Sequence, residues 1–131
     1  MSLRLLLIED EDAIRTIATI SLERIGDWTV IGASSGQAGL EAAEDDGPFD
    51  AVLMDVMMPG LDGPTTLERM RDGALPNQVP VVFMTAKAGE DERRRLVSLG
   101  AEGVIAKPFD PMTLDRQLRD ILAKGVDLGG I

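Results

Sequence analysis

Two residue types are missing altogether from this 131-residue chain, cysteine and histidine. Without cysteine there is no disulfide framework, thiolate nucleophile, iron–sulfur cluster or thiolate zinc site. Without histidine there is no Ser/His/Asp triad, no imidazole-ligated metal and no phosphohistidine of the chain's own. Any phosphoryl group that passes through a histidine must sit on another protein. Long apolar runs are missing too. Leu5 to Ile8 is as long as they get, far short of the roughly 20 residues of a membrane span, and no signal-peptide pattern opens the chain. A soluble, cytoplasmic protein without membrane contact is expected. Positive charge is scarce: 13 Lys and Arg against 23 Asp and Glu leave a net charge of −10. That balance opposes non-specific attraction to nucleic acid or to anionic lipid.

What is present is globular in composition, 44% hydrophobic and 27% charged, in a length that suits one domain. Along the chain two periods alternate. Leu3–Ile8 is a short apolar run of the kind buried on both faces of a parallel sheet. Ile14, Ile17, Ala18, Ser21, Leu22 and Ile25 then recur at helical spacing until Gly26. Trp28–Ala33 is β-rich and is followed by a helical stretch from Gly36 to about Asp46, with a weak apolar face of Ala38, Leu40, Ala42 and Ala43. Ala51–Met54 leads into Asp55, a Pro/Gly-rich turn and a short helix with Leu67 and Met70. Val79–Met84 precedes Thr85 and a polar helix near Gly89–Leu99, whose Arg93, Arg94 and Arg95 form a solvated side. Gly103–Ala106 precedes Lys107–Pro108. A last helix from about Pro111 to Ala123 carries Leu114, Leu118, Ile121 and Leu122 on one face. Five strands alternating with five helices predict an α/β sandwich around a parallel sheet. Residues 1–124 form the domain and 125–131 a frayed tail.

Reactive groups in open parallel sheets gather beyond the carboxyl ends of the strands. Glu9, Asp10 and Glu11 follow the first strand, Asp55 the third, Thr85 the fourth and Lys107 the fifth. Taken alone, the acidic run is an ordinary first helical turn, and a Thr ending a strand or a Lys before Pro is an ordinary capping or solvated residue. Asp55 changes that reading. An aspartate closing an Ala-Val-Leu-Met run needs a solvated or cation-rich neighbourhood, because ionised burial is costly. Clustered carboxylates with no nitrogen or sulfur ligand favour Mg²⁺. A carboxylate nucleophile, a divalent ion, a lysine and a hydroxyl are together what phosphoryl transfer to aspartate requires.

These residues stand in motifs. Leu6-Leu7-Ile8-Glu9-Asp10-Glu11, Leu53-Met54-Asp55-Val56-Met57-Met58-Pro59-Gly60-Leu61-Asp62-Gly63, Met84-Thr85-Ala86 and Lys107-Pro108-Phe109 follow in order, and the chain from about Leu3 to Ala123 resembles the receiver domain of two-component response regulators, in particular single-domain chemotaxis regulators. The resemblance implies a flavodoxin-like (βα)5 three-layer sandwich with sheet order 2-1-3-4-5. It implies that Asp55 is the phosphoacceptor, that Asp10, Asp55 and the main-chain carbonyl of Met57 hold Mg²⁺, and that Glu9 acts through a metal-bound water. Lys107 would pair with phosphoryl oxygens and Thr85 would hydrogen-bond to them. A cis Lys107–Pro108 peptide is also implied. The implied partners are a sensor histidine kinase or histidine phosphotransfer protein and a downstream protein target contacting about 89–123, with no direct nucleic acid. The implied role is a signalling module rather than an enzyme, although such a module catalyses its own phosphoryl transfer and dephosphorylation. A single-domain regulator or phosphorelay intermediate is expected.

One position departs from the family pattern. Three residues before the lysine, where an aromatic switch residue is usual, stands Val104, which has no ring to swing inward. Other readings fare worse. A haloacid-dehalogenase-like phosphatase needs a second Asp two residues after its nucleophile, and Met57 stands there. A flavodoxin-like electron carrier would have only Trp28 and three Phe to stack a flavin. Neither glycine-rich nucleotide signature occurs. An interaction module that is never phosphorylated is the remaining rival, and it would have no need of Asp10, Asp55 and Lys107 together.

Overall fold

Each apolar run becomes a strand, and each segment of helical period becomes a helix. The computed structural model of this chain describes residues 2–73, 75–76 and 78–130, with the stretch 125–130 described by its backbone alone. In chain order the elements are β1 (Arg4–Ile8), α1 (Asp12–Gly26), β2 (Thr29–Ala33), α2 (Gly36–Asp45), β3 (Ala51–Asp55), α3 (Gly63–Asp72), β4 (Val81–Thr85), α4 (Glu90–Ser98), β5 (Gly103–Ala106) and α5 (Leu114–Gly130). The strands pair in parallel in the order β2-β1-β3-β4-β5. That is the order the receiver resemblance implied.

Because side chains alternate along a strand, the sheet feeds two separate cores. Leu6, Ile8, Val52, Met54, Val81 and Phe83 point to one face and pack with Leu67, Met70 and Leu96 of α3 and α4. Leu5, Leu7, Leu53, Val82, Met84 and Ile105 point to the other and pack with Leu22 of α1 and Leu114 and Leu118 of α5. Burial on both faces is why the strands read as continuous apolar runs rather than alternating ones. The weak face of α2 also has a steric reason. The helix sits so close to β1 that a Cβ on Gly39 would collide with Ile8, so small residues are required there.

Two clamps hold the amino end of the sheet. Trp28 donates its indole N–H to Asp115 Oδ1 at 2.8 Å, Arg119 Nε donates to the same oxygen at 2.9 Å and Arg119 Nη2 donates to the Gly26 carbonyl at 2.6 Å. The guanidinium lies 5.1 Å from the indole centroid, a cation–π distance. On the neighbouring strand, Arg4 donates to the carbonyls of Asp46 and Pro48 and stands over the Phe49 ring.

Helix boundaries differ in detail from the sequence reading. The apolar stripe of α1 is wider than its core contact: Ala18, Ser21 and Leu22 are buried, whereas Ile17, Ile20 and Ile25 are about half exposed. They line a groove of about 320 Å³ with Pro111 and Met112. The backbone of α5 stays helical to Gly130, beyond the end expected near Ala123. Glycine lowers helix propensity without forbidding a helix. Ile131, the end of the expected tail, lies outside the described residues. The peptide Lys107–Pro108 is cis as the resemblance implied, and Gly47–Pro48 is cis as well.

Candidate functional site

Parallel pairing brings the carboxyl ends of the strands level. Ile8 stands opposite both Ala33 and Met54, Asp55 opposite Met84, and Thr85 opposite Ala106. The residues that follow β1 and β5 are tied to the neighbouring strand: Glu9 N–H donates to Ala33 O at 3.0 Å and Lys107 N–H to Thr85 O at 2.9 Å. Four residues widely separated in sequence therefore share one rim. Directly after β3, the Val56 N–H donates to Met84 O, and Gly63 N–H returns to Val56 O. This folds the Pro/Gly-rich turn back on the strand. A Cβ on Gly63 would lie 2.7 Å from the Asp55 carbonyl oxygen, so the turn closes against Asp55 only with glycine there. Asp62 then caps α3 through the Thr65 N–H at 2.8 Å.

Lys107 Nζ sits between two carboxylates, 2.9 Å from Glu9 Oε1 and 3.3 Å from Asp55 Oδ2. Glu9, Asp55 and Thr85 are all buried, and Asp10 is half-buried beside them. Glu9, Asp10 and Asp55 each bring a carboxylate oxygen to within 4.8 Å of the others. One ammonium thus faces a rim with a surplus of negative charge. Burial raises the Glu9 carboxyl above the ordinary value, although the Lys107 hydrogen bond and the Glu11 N–H act against it. Asp55 is raised by the same loss of water, opposed by Lys107 and the Met57 backbone and reinforced by Asp10. For Lys107, burial alone would lower the pKa. Its bond to Glu9 and the charges of Asp55 and Glu9 outweigh that, so the pKa is raised and the group stays an ammonium.

The donor set suits a small hard cation. Three converging carboxylates with oxygen-only chemistry, two of them disfavoured as anions where they stand, match the ligand preference of Mg²⁺. Met57 lies two residues past Asp55 and is 74% exposed, and its backbone N–H meets the Asp55 carboxylate. Thr85 is on the rim, but its hydroxyl oxygen accepts from the Lys87 N–H at 3.1 Å rather than meeting Asp55. Val104 packs half-buried against the core beside Phe83.

Two features of the rim escaped the sequence reading. Glu9 engages Lys107 directly, a contact across 98 positions that no local pattern encodes. Arg15, one turn into α1, donates to the main-chain carbonyl of Glu9 at 2.8 Å. A basic residue in an acidic first turn is the only trace it leaves in the sequence.

Comparison with known proteins points the same way as this geometry. A family model described as the response regulator receiver domain matches residues 5–119. The transcriptional regulatory protein CseB of Streptomyces coelicolor is 37% identical over 125 residues, 95% of this chain and 51% of CseB. The alkaline phosphatase synthesis transcriptional regulatory protein PhoP of Bacillus subtilis is 35% identical over 124 residues, 95% of this chain and 50% of PhoP. The chain spans about half the length of these curated relatives. The solved structure of the chemotaxis response regulator CheY4 of Vibrio cholerae superposes with a TM-score of 0.84 at 26% identity, over 92% of this chain and 99% of CheY4.

Proposed function

Because the chain belongs to the response regulator receiver domain family, we propose that Asp55 accepts a phosphoryl group from a phosphohistidine on a partner kinase or phosphotransfer protein. The observation that carries this reading is the single ammonium of Lys107 held 3.3 Å from Asp55 Oδ2, on a rim where Glu9 and Asp10 converge with Asp55. An Asp55 oxygen forms the new O–P bond as the P–N bond of the donor breaks. The electron pair of that bond leaves with the imidazole, and the product is an acyl phosphate.

Lys107 holds the Asp55 carboxylate in place before transfer and balances charge on the phosphoryl oxygens after it. The Thr85 hydroxyl accepts one hydrogen bond and retains its own proton to donate to a phosphoryl oxygen. Asp10, Asp55 and the Met57 carbonyl would hold Mg²⁺, with Glu9 acting through water. When bound, the ion supplies neutralisation of the phosphoryl oxygens and of the carboxylates themselves.

A phosphohistidine donor lies outside these 131 residues, which contain no histidine. In addition, apolar surface reaches from the rim outward: Ile14, Ile17, Pro108 and Phe109 border Lys107 and adjoin the groove of Ile17, Ile20 and Met112. Output runs through about 89–123 to a protein target. In this region α4 buries only Leu96 of its nine residues and leaves Val97 exposed. With valine at position 104, the signal is carried by displacement of the 85–89 loop and α4 rather than by a ring changing rotamer. The role is that of a signalling module working in the cytoplasm. Among the described residues no helix is long and apolar enough to cross a membrane.

The test is labelling with a small phosphodonor in the presence and absence of Mg²⁺, in the parent and in Asp55→Asn. Mg²⁺-dependent labelling is expected in the parent and none in the variant, which keeps its fold. Stoichiometric labelling of Asp55→Asn would move the acceptor elsewhere. An unlabelled parent would favour an interaction module that is never phosphorylated.

A further inference from the structure

We propose that Arg15 is a positioning residue for the acidic half of the site, acting through the main chain of Glu9. This rests on the reading of the rim as a Mg²⁺-dependent phosphoacceptor. Pairing of β1 with both neighbours ends at Ile8, so the backbone of Glu9, the residue that follows, must find partners outside the ladder. Its N–H finds Ala33 O on β2. Its carbonyl is met by Arg15 Nη1 at 2.8 Å, while Arg15 Nη2 donates to Asp12 Oδ1 at 2.6 Å.

The arginine is itself well held. Its stem lies over Gly32 of β2, where an added Cβ would come 3.4 Å from Arg15 Cδ, and its backbone N–H donates to Glu11 O at 2.9 Å. The guanidinium thus fixes the peptide joining Glu9 to Asp10. Orientation of that peptide decides whether the Glu9 carboxylate faces Lys107 while the Asp10 carboxylate faces Asp55. The cap residue of α1, Glu11, makes no side-chain capping bond. Side-chain support for the acidic turn comes from Arg15, together with the bond from the Glu11 N–H to Glu9 Oε2. The two halves of the fork are unequal: the Arg15 side chain is 23% exposed and that of Asp12 87%. The carbonyl bond is the sheltered one, and it carries the effect. The exposed ion pair contributes little.

Arg15→Ala, Arg15→Lys and Asp12→Ala separate these contributions. Mg²⁺ affinity is read from amide chemical shifts of residues 9–12 and 55–57, independently of labelling. The Mg²⁺ dependence of labelling by a small phosphodonor is then read as a half-saturation concentration and a maximal rate. Arg15→Ala is expected to raise the half-saturating Mg²⁺ about tenfold, the scale of lost support behind a metal ligand, with the rate at saturating Mg²⁺ near that of the parent. Arg15→Lys, which can still reach one carbonyl, should recover part of the affinity, and Asp12→Ala should match the parent.

Unchanged affinity in Arg15→Ala would overturn the proposal. So would an equal loss in Asp12→Ala, which would make the effect one of charge. Should Arg15→Ala fail to fold, Arg15→Lys and Arg15→Gln decide it, a weakened affinity in glutamine that lysine restores being the supporting result. A parent that binds Mg²⁺ but is never labelled would overturn the phosphoacceptor reading while leaving the affinity comparison to judge Arg15.

Discussion

At the amino end of the sheet, Arg119 is bonded to Asp115 and the Gly26 carbonyl and lies over Trp28, and Arg4 is bonded to two carbonyls over Phe49. At the carboxyl end one lysine faces Glu9 and Asp55, with Asp10 alongside. Each of these two guanidinium groups donates to two acceptors. At the carboxyl end, acceptors outnumber cations, and two carboxyl groups are held where water cannot relieve them. The same sheet thus separates a region that contributes stability from one that gives some up. That surplus of negative charge suits the carboxyl end to a small hard cation.

The sharpest way to break this contrast is to remove the lysine that faces the two buried carboxylates. Lys107→Ala leaves Glu9 and Asp55 buried without a counter-charge. Losing one partner of such a pair should destabilise the fold by about 3 kcal/mol at neutral pH without divalent ions. Denaturant midpoints measure this, and Mg²⁺ should raise the midpoint of the variant more than that of the parent. An unchanged midpoint would mean that the rim carboxylates are already compensated.

A smaller effect follows from the raised carboxyl groups. Between the ordinary carboxylate value and the raised one, the folded chain binds more protons than the unfolded chain. Stability therefore falls as pH climbs through that interval and is level above it. Asp55→Asn removes one of the two groups. In the absence of Mg²⁺ it should melt above the parent at neutral pH, and the gap should close as pH falls towards about 4. A gap that widens on acidification would reverse the assignment.

The amino end provides the control. Arg119→Ala loses a half-exposed ion pair and a ring contact, together worth about 1 kcal/mol. The loss should be the same with and without Mg²⁺ and should leave labelling of Asp55 unchanged. A changed Mg²⁺ dependence would show that the two ends are coupled.

The strands were legible because a parallel sheet buried on both faces leaves short apolar runs, each ended abruptly by a charged or hydroxyl residue. For the same reason the sequence alone places Glu9, Asp10, Asp55, Thr85 and Lys107 on one rim. The stripe of α1 was less legible. Periodicity registers Ile17 and Ile25 as apolar, but only packing decides that Ala18 and Leu22 face the sheet and the isoleucines face outward. The backbone of α5 runs on to Gly130, past the end expected near Ala123, because glycine lowers helix propensity without forbidding a helix. Contacts such as Lys107 with Glu9, or Arg15 with a carbonyl, depend on the closed register and leave little local signature.

The clamp around Trp28 also determines what light can report. The chain has a single indole and no tyrosine, and that indole is fixed between Asp115 and a guanidinium just before β2 begins. The strand that follows has five residues, so the ring stands roughly 16 Å of strand rise away from the carboxyl rim. Asp55 is followed by Val56, which adds no fluorophore of its own. Intrinsic emission is therefore a gauge of whether α1 and α5 remain docked. It should be quenched or shifted by unfolding and stay level during a cation titration, so that folding and occupancy can be followed in one cuvette by different probes.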